Sequence, residues 1–426
     1  MRDDWNARAR EDAYYYVAFG ARGQTDAEFR ATSYDVVHGL EAELKRLPPG
    51  DRRQFRALEI GCGPGRLMAP MSWNFGEIHG VDVSDEMIRL AMRGLHDVPN
   101  AFPRLTQGAG LEAFGGEMFD FVYSYAVFQH IPSREVVLRY LEEARRVLKA
   151  GGILRAQVNG LPKTAKEYTT WEGVRLDVAE LAEFACAHDM QLLALEGVHT
   201  QYLWTTMRKR PAGWFADLAE RQPDAEVRLR RATNSHSGEP AVPAAGRFAS
   251  FSLWTDGLPE DADLNTINVV VDEQEAPPVY IGPRTADGVQ QINAMMPSGV
   301  RTGLVPVELY WFGKPVAAPV WLRVIPPGPA VPRIVAVSDG VNLCSRQRIV
   351  SRSVKICLEE LATPEQTVIL LDGAPVADVD RFCTDPVNQS YEFNFLLPPG
   401  TRAGEHRVEV HIGRRRLLAP PLEVVE

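Results

Sequence analysis

The stretch most able to do chemistry is "LEIGCGPGR", Leu58 to Arg66, an apolar run that breaks into three glycines at alternate positions. Gly61, Gly63 and Gly65, with Cys62 between the first two, let the backbone turn sharply and approach a ligand closely. One acid, Glu59, precedes them, and a second, Asp82, follows in "GVDVSDEMI". A carboxylate at the end of a second strand can accept hydrogen bonds from both hydroxyls of a ribose. The turn departs from two phosphate-binding patterns. A dinucleotide turn needs G-x-G-x-x-G, and Arg66 occupies the place of its last glycine. A P-loop needs a Gly-Lys-Ser/Thr ending, which is absent.

The elements that must position these residues alternate in type over 1–212. "RALEI" reads as a short buried strand. "GEIHGVDV" reads as a second, followed by Ser84 as N-cap of the helix "DEMIRLAMRGL". "MFDFVYSYAVF" is a strong strand signal. "SREVVLRYLEEARRVLKAGG" is an amphipathic helix stopped by Gly151-Gly152, with "ILRAQV" a strand behind it. Thr25 and Glu28 make a capping box for a helix running to Pro48-Pro49-Gly50, and Asp177 and Glu180 start another. "MQLLALEG" and "HTQYLWTTMRKR" are two strands joined near Gly197. This alternation predicts an α/β, doubly wound, mostly parallel sheet whose closing hairpin adds one antiparallel strand.

Glu59-x-Gly61-x-Gly63-x-Gly65, Asp82 with Ser84-x-x-Met87-Ile88, "FDFVYSYAVFQHIP" and "EEARRVLKAGGIL" together resemble class I S-adenosylmethionine-dependent methyltransferases over roughly residues 1–210. The resemblance implies a Rossmann-like seven-stranded sheet with its last strand antiparallel, and S-adenosylmethionine as cofactor. Gly61, Cys62, Gly63 and Gly65 would then lie against its methionine and ribose parts, with no pyrophosphate to hold. Glu59 would attract its ammonium group. Asp82 and Val83 would lie at the ribose and Met87 against the adenine face, where a soft side chain suits a π-system. The backbone of Ser124 and Tyr125 would pass the methionine end. Relatives commonly carry an acid at the adenine amino group. This chain has Gly108-Ala109-Gly110 there, so the backbone of Ala109, Gly110 and Leu111 is expected to substitute.

The implied reaction is methyl transfer to a small-molecule, sugar or lipid-linked acceptor. His130 is the first candidate base for an oxygen acceptor, because histidine titrates near neutrality, and Tyr125 the second. The plainer reading of His130 is a residue that packs its loop. Acceptor-side candidates are Tyr14 and Tyr15, in "DAYYYVAFG" after Trp5, and Trp171 and Arg175 in "TTWEGVRLD". Tyr14, Tyr15 and Tyr16 cannot all face one way on a helix. The alternative function is a binding or scaffold protein that keeps the fold without turnover.

Beyond Pro211 the pattern changes. Residues 213–234 read as a linker, then short apolar runs alternate with Pro, Gly and Asp turns. "QINAMMPSGVRTGLVPVEL" aligns with "EFNFLLPPGTRAGEHRVEV" 101 residues later, from Gln291 and Glu392. The offset predicts two tandem β-sandwiches, 235–327 and 328–426, resembling immunoglobulin-like modules and suited to contact with a glycan or a protein. A net charge of -10 and a pI near 5.5 argue against nucleic acid. No apolar run is long enough to span a bilayer. The 5 cysteines lack metal spacing and read as reduced thiols of a cytoplasmic protein, with no metal site expected.

Overall fold

The computed structural model describes residues 1–18, 22–108, 110–163, 167–218, 226–328, 331–341, 345–385 and 389–425. The chain forms two compact units, Met1–Asn6 with Ser33–Gly328, and Ala7–Thr32 with Pro329–Glu426.

The first unit is organised by strands β1 (Arg56–Ile60), β2 (Glu77–Asp82), β3 (Ala101–Leu105), β4 (Phe119–Ser124), β5 (Leu148–Val158), β6 (Met190–Glu196) and β7 (Leu203–Lys209). Their order is β3-β2-β1-β4-β5-β7-β6, and β7 runs antiparallel to both neighbours while the other pairs from β3 to β5 are parallel. This is the mostly parallel sheet with one reversed strand that the alternation predicts, and the Rossmann-like order that the resemblance implies. Strands β1 and β4 are almost wholly buried, which is why they read as continuous apolar runs. Strand β3 carries no such signal. It lies at the sheet edge, where Pro103 is tolerated.

Helix α1 (Arg2–Ala18) is interrupted at Asp12, whose carboxylate then accepts the Tyr15 amide at 3.1 Å. The single helix expected before Pro48 is three: α2 (Asp26–Ala31), α3 (Tyr34–Gly39) and α4 (Glu41–Leu44). The Thr32 hydroxyl donates to the Phe29 carbonyl, a local bond that competes with helix continuation, and Gly39 adds a poor helix former. The Thr25–Glu28 capping box is present at α2. After the glycine turn come α5 (Met68–Met71) and α6 (Asp85–Gly94), the latter capped by Ser84 Oγ. Helix α7 (Arg134–Val147) ends four residues before Gly151, because Leu148 already belongs to β5. Helix α8 (Val178–Ala187) carries the Asp177–Glu180 capping box.

The expected linker holds a short helix, α9 (Trp214–Leu218), and a strand, β8 (Arg228–Asn234). Nine further strands follow in this unit: β9 (Ala241–Pro243), β10 (Ser250–Asp256), β11 (Ile267–Val271), β12 (Gln274–Ala276), β13 (Pro278–Ile281), β14 (Val289–Met295), β15 (Gly303–Trp311), β16 (Lys314–Pro315) and β17 (Val320–Ile325). The Rossmann-like sheet does not stop at β6. It continues as β6-β13-β14-β10-β8, joined where Tyr280 pairs with Ala194. Gln191 Nε2 donates to the carbonyls of Glu260 and Ala262, the Leu264 amide donates to Leu192 O at 3.0 Å, and buried Asp263 accepts the Leu192 amide. One apolar core runs from Leu58 in β1 to Val324 in β17.

The 101-residue repeat is structural. In the second unit, strands Arg333–Asp339, Ser353–Glu359, Ser390–Leu396 and Asp380–Asp385 pair in the order of β8-β10-β14-β13. Ala374–Pro375, Thr367–Leu371 and Val408–Ile412 reproduce β12-β11-β15, and Gly404–His406, Leu422–Val424 and Arg348–Ile349 reproduce β15-β17-β9. Gly303 and Gly404 share φ values of 121° and 131°, a left-handed turn that glycine meets without strain. The second unit's core draws on all three of its sheets, with Ile356 and Phe393 from one, Ile349 and Leu422 from another, and Ile369 and Val410 from the third.

Candidate functional site: the glycine turn and its surroundings

The turn leaves β1 with Gly61, Gly63 and Gly65 at φ 76°, 52° and 81°, in the left-handed region. The amides of Gly61 and Cys62 both donate to Val81 O, at 2.8 and 3.0 Å, so the turn is tied to β2. A Cβ on Gly61 would lie 2.3 Å from Val127 Cγ2, so the turn is also tight against the segment after β4. Gly61→Ala is expected to cost about 2–4 kcal/mol of stability, from backbone strain and overpacking together. Denaturant unfolding of the full chain measures it. Adding Val127→Ala should recover the packing part and leave the backbone part.

Asp82 ends β2 with both oxygens in use. Oδ2 accepts the Gly63 amide at 2.9 Å and Oδ1 the Ser84 amide at 2.8 Å. Each oxygen keeps a further acceptor site. Burial raises its pKa against the pull of these amides. Glu59 is buried and accepts the Tyr123 hydroxyl at 2.8 Å across the β1–β4 pair, where the two residues stand in register. Burial pushes its carboxyl up to about 8, while Tyr123 and the Arg66 charge pull it down. Arg66 lies over the Tyr125 ring at 5.4 Å. Cys62 is buried beside these acids and its thiol is pushed well up, so it is no nucleophile. Ser124 Oγ donates to Ile60 O at 3.0 Å and fixes β4 to the start of the turn.

On the adenine side of the expected ligand, Met87 is buried at the first turn of α6. Leu111 does not offer its backbone as expected. Its amide donates to Glu143 Oε2 and its carbonyl accepts from Arg146, both at 3.0 Å, because these two α7 residues form an ion pair beside it. Gly110 O accepts the Thr106 hydroxyl at 2.8 Å. Ala109 lies outside the described residues.

The first turn of α1 clasps this region. Arg2 Nε donates to Val83 O at 2.9 Å and Arg2 Nη2 to Thr106 O at 3.1 Å. Asn6 Oδ1 accepts Ser84 Oγ at 2.6 Å, while its Nδ2 donates to Asp85. The Thr170 hydroxyl donates to Asp4 at 2.8 Å, and the Trp5 ring meets His130 edge-on at 5.5 Å. Arg2, Trp5 and Asn6 thus join the end of β2 to the His130 segment. Only the polarity of an otherwise helical start hints at them in the sequence.

His130 closes a short 3-10 turn, Phe128–His130, and is buried. Its Nδ1 lies 3.3 Å from Trp171 O and its Nε2 3.4 Å from Gln129 Nε2. Gln129 Oε1 is buried without a hydrogen-bond partner among the described residues. Tyr125 stacks on Trp204 at 5.7 Å. Trp171 is 54% exposed. Arg175 is buried and spends its guanidinium on Glu172 and Pro162 O. Tyr14 stacks on Phe29 and donates to Asp26; Tyr15 is buried under Arg22. Both belong to the second unit, whereas the glycine turn belongs to the first. The described residues contain no cluster able to hold a metal ion.

Comparison with known proteins follows the same boundary. The family model described as "Methyltransferase domain" matches residues 58–156, from within β1 to near the end of β5. This part of the chain matches a methyltransferase domain and has a Rossmann-like α/β sheet. The chain is 33% identical over 100 residues to a ubiquinone biosynthesis O-methyltransferase of Cereibacter sphaeroides, covering 24% of this chain and 39% of that one. It is 27% identical over 136 residues to phosphoethanolamine N-methyltransferase 2 of Caenorhabditis elegans, 30% of each. The chain therefore spans about two fifths or less of the length of these curated relatives. Similar solved structures include a Haloferax volcanii Trm112 methyltransferase activator complex with a putative methyltransferase, at 17% identity and TM-score 0.38, covering 50% of this chain and 100% of that one. Another is the Synechocystis PCC 6803 magnesium protoporphyrin IX methyltransferase with bound SAH, at 18% and 0.36, covering 49% and 97%.

Proposed function

We propose that the chain is an S-adenosylmethionine-dependent methyltransferase acting on a small-molecule, sugar or lipid-linked acceptor. The observation that carries this is a pair of acids, buried Glu59 and half-buried Asp82, flanking a glycine turn in which Gly61 and Gly65 leave no room for a Cβ. The cofactor is S-adenosylmethionine, which supplies a methyl group already activated on a sulfonium. Glu59 binds its ammonium group, Asp82 its ribose hydroxyls, and the glycines admit the chain between them. The protein's part in the transfer is positioning and exclusion of water. His130, steadied by the Trp171 carbonyl, and the buried Oε1 of Gln129 give the acceptor side its polar groups. His130 takes the proton of a hydroxyl acceptor; a carboxylate acceptor needs no base. Arg175, already paired with Glu172, is a framework residue in this reading. The two β-repeats serve contact with a glycan or a protein.

A second reading, a fold that binds the cofactor without turnover, is favoured by one observation: the Leu111 amide is already taken by Glu143. Calorimetric titration with S-adenosylmethionine, S-adenosylhomocysteine and NAD tests the proposal. Saturable binding of the first two and not of NAD is expected. Binding of NAD alone would overturn it, and tight binding with no turnover across an acceptor screen would favour the second reading.

A further inference from the structure

Away from the glycine turn, the first unit holds a cavity of about 340 Å³ where the Rossmann-like sheet passes into the first β-repeat. Lys45, Arg46, Gln191 and Arg208 line it from one side of the junction, and Arg284 and Gln290 from the other. It is a different place from the cofactor site. Arg208 pairs with Ile153, Ile153 with Phe121, and Phe121 with Ala57 at the start of β1, whereas the glycine turn follows the end of β1. That register separates the two by about 13 Å along the strands and about 14 Å across them.

Four cations face this cavity in a chain of net charge -10. Among the described residues lining it the single carboxylate is Glu260, which already faces Arg208 at 3.4 Å and Arg210 at 4.0 Å. Arg46 is the telling residue. Its side chain is 2% exposed, its Nε donates to buried Glu43 at 2.6 Å, its guanidinium lies 5.2 Å from the Tyr280 ring centre, and its Nη2 is buried with no hydrogen-bond partner among the described residues. Nε of Arg208 likewise has no partner among the described residues, while its Nη2 donates to Arg46 O at 3.2 Å. Burial, with Arg210 and Arg46 close by, pushes the pKa of Arg208 down. A buried guanidinium N–H without an acceptor is costly, and a cavity beside it supplies the room for one.

We propose that this cavity is a binding site for a small organic phosphate, held by Arg46 and Arg208 from the sheet side and by Arg284 from the repeat side. Arginine forks match phosphoryl oxygens, and Lys45 adds a mobile charge at the rim. The ligand closes across the junction, so its binding stabilises the α/β part and the first repeat together. This site needs nothing from the methyl-transfer reading.

The test titrates the full chain with pyrophosphate, inorganic phosphate and citrate, by calorimetry and by thermal unfolding at constant ionic strength. Pyrophosphate is expected to bind saturably at one site and to raise the melting temperature. Arg284→Gln and Lys45→Gln sit at the rim and leave the buried Arg46–Glu43 pair intact; each is expected to weaken binding about tenfold. S-adenosylmethionine affinity should not change in either variant. Absence of saturable binding by the phosphates would overturn the proposal. So would binding that survives both substitutions, and citrate binding tighter than either phosphate would overturn the phosphoryl assignment.

Discussion

Asp82→Ala is expected to weaken S-adenosylmethionine binding at least a hundredfold. A ribose diol gives an ionised carboxylate two hydrogen bonds, each worth about 1.5–3 kcal/mol, so losing both removes at least about 3 kcal/mol. The same carboxylate accepts the amides of Gly63 and Ser84, so the variant also loosens the turn. Asp82→Asn separates the two effects. It keeps an acceptor for one amide but loses the charge, and its affinity should fall between wild type and alanine. Calorimetry measures both variants, with thermal unfolding as the control for folding. An alanine variant that binds within a few-fold of wild type would remove Asp82 from the site.

The second large effect is a pH dependence set by Glu59. Its folded-state pKa, about 8, lies above the 4.5 of a free glutamate, so near neutrality the ligand-free carboxyl is mostly protonated. An ammonium partner favours the carboxylate, so binding must release a proton below pH 8. Affinity is then expected to rise up to about tenfold per pH unit from pH 6 toward pH 8. Glu59→Gln, which keeps an acceptor for Tyr123, should bind weakly and lose this slope. Stability moves the other way. An acid whose pKa is raised by folding costs the fold stability progressively as pH rises from its unfolded value through 8, so Glu59→Gln should melt higher than wild type at pH 8. A variant that binds as wild type does at every pH would refute the ammonium role.

Much of this was legible in the chain, and the reasons differ by residue. The glycine turn, Asp82, the Ser84 cap and the Asp177–Glu180 box are local signals, set by backbone angles and neighbouring amides. The 101-residue offset was legible because equivalent turns need equivalent glycines, Gly303 and Gly404 among them. What the chain hides is long-range. Tyr123 meets Glu59 only through the β1–β4 register, and the Arg2–Asn6 clasp depends on residues about 80 positions away. Strand β3 sits at an edge with little burial, so it leaves no apolar run. The end of α7 at Val147 went unmarked because a buried strand starts immediately behind it.

The β6–β13 pairing bears on how the chain can be divided. A strand at the rim of a sheet offers unpaired amides and carbonyls to any other chain, and proteins cover or disrupt such rims to stay monomeric. Here the first β-repeat covers β6, and Asp263, Glu260 and Ala262 satisfy Leu192 and Gln191 beside it. A recombinant piece cut at Pro211 would carry the whole glycine turn and both acids, yet present β6 as a bare, apolar template for self-association. Such a piece is therefore expected to self-associate, and one running to Gly328 to stay dispersed, a difference that size-exclusion chromatography of the two would measure.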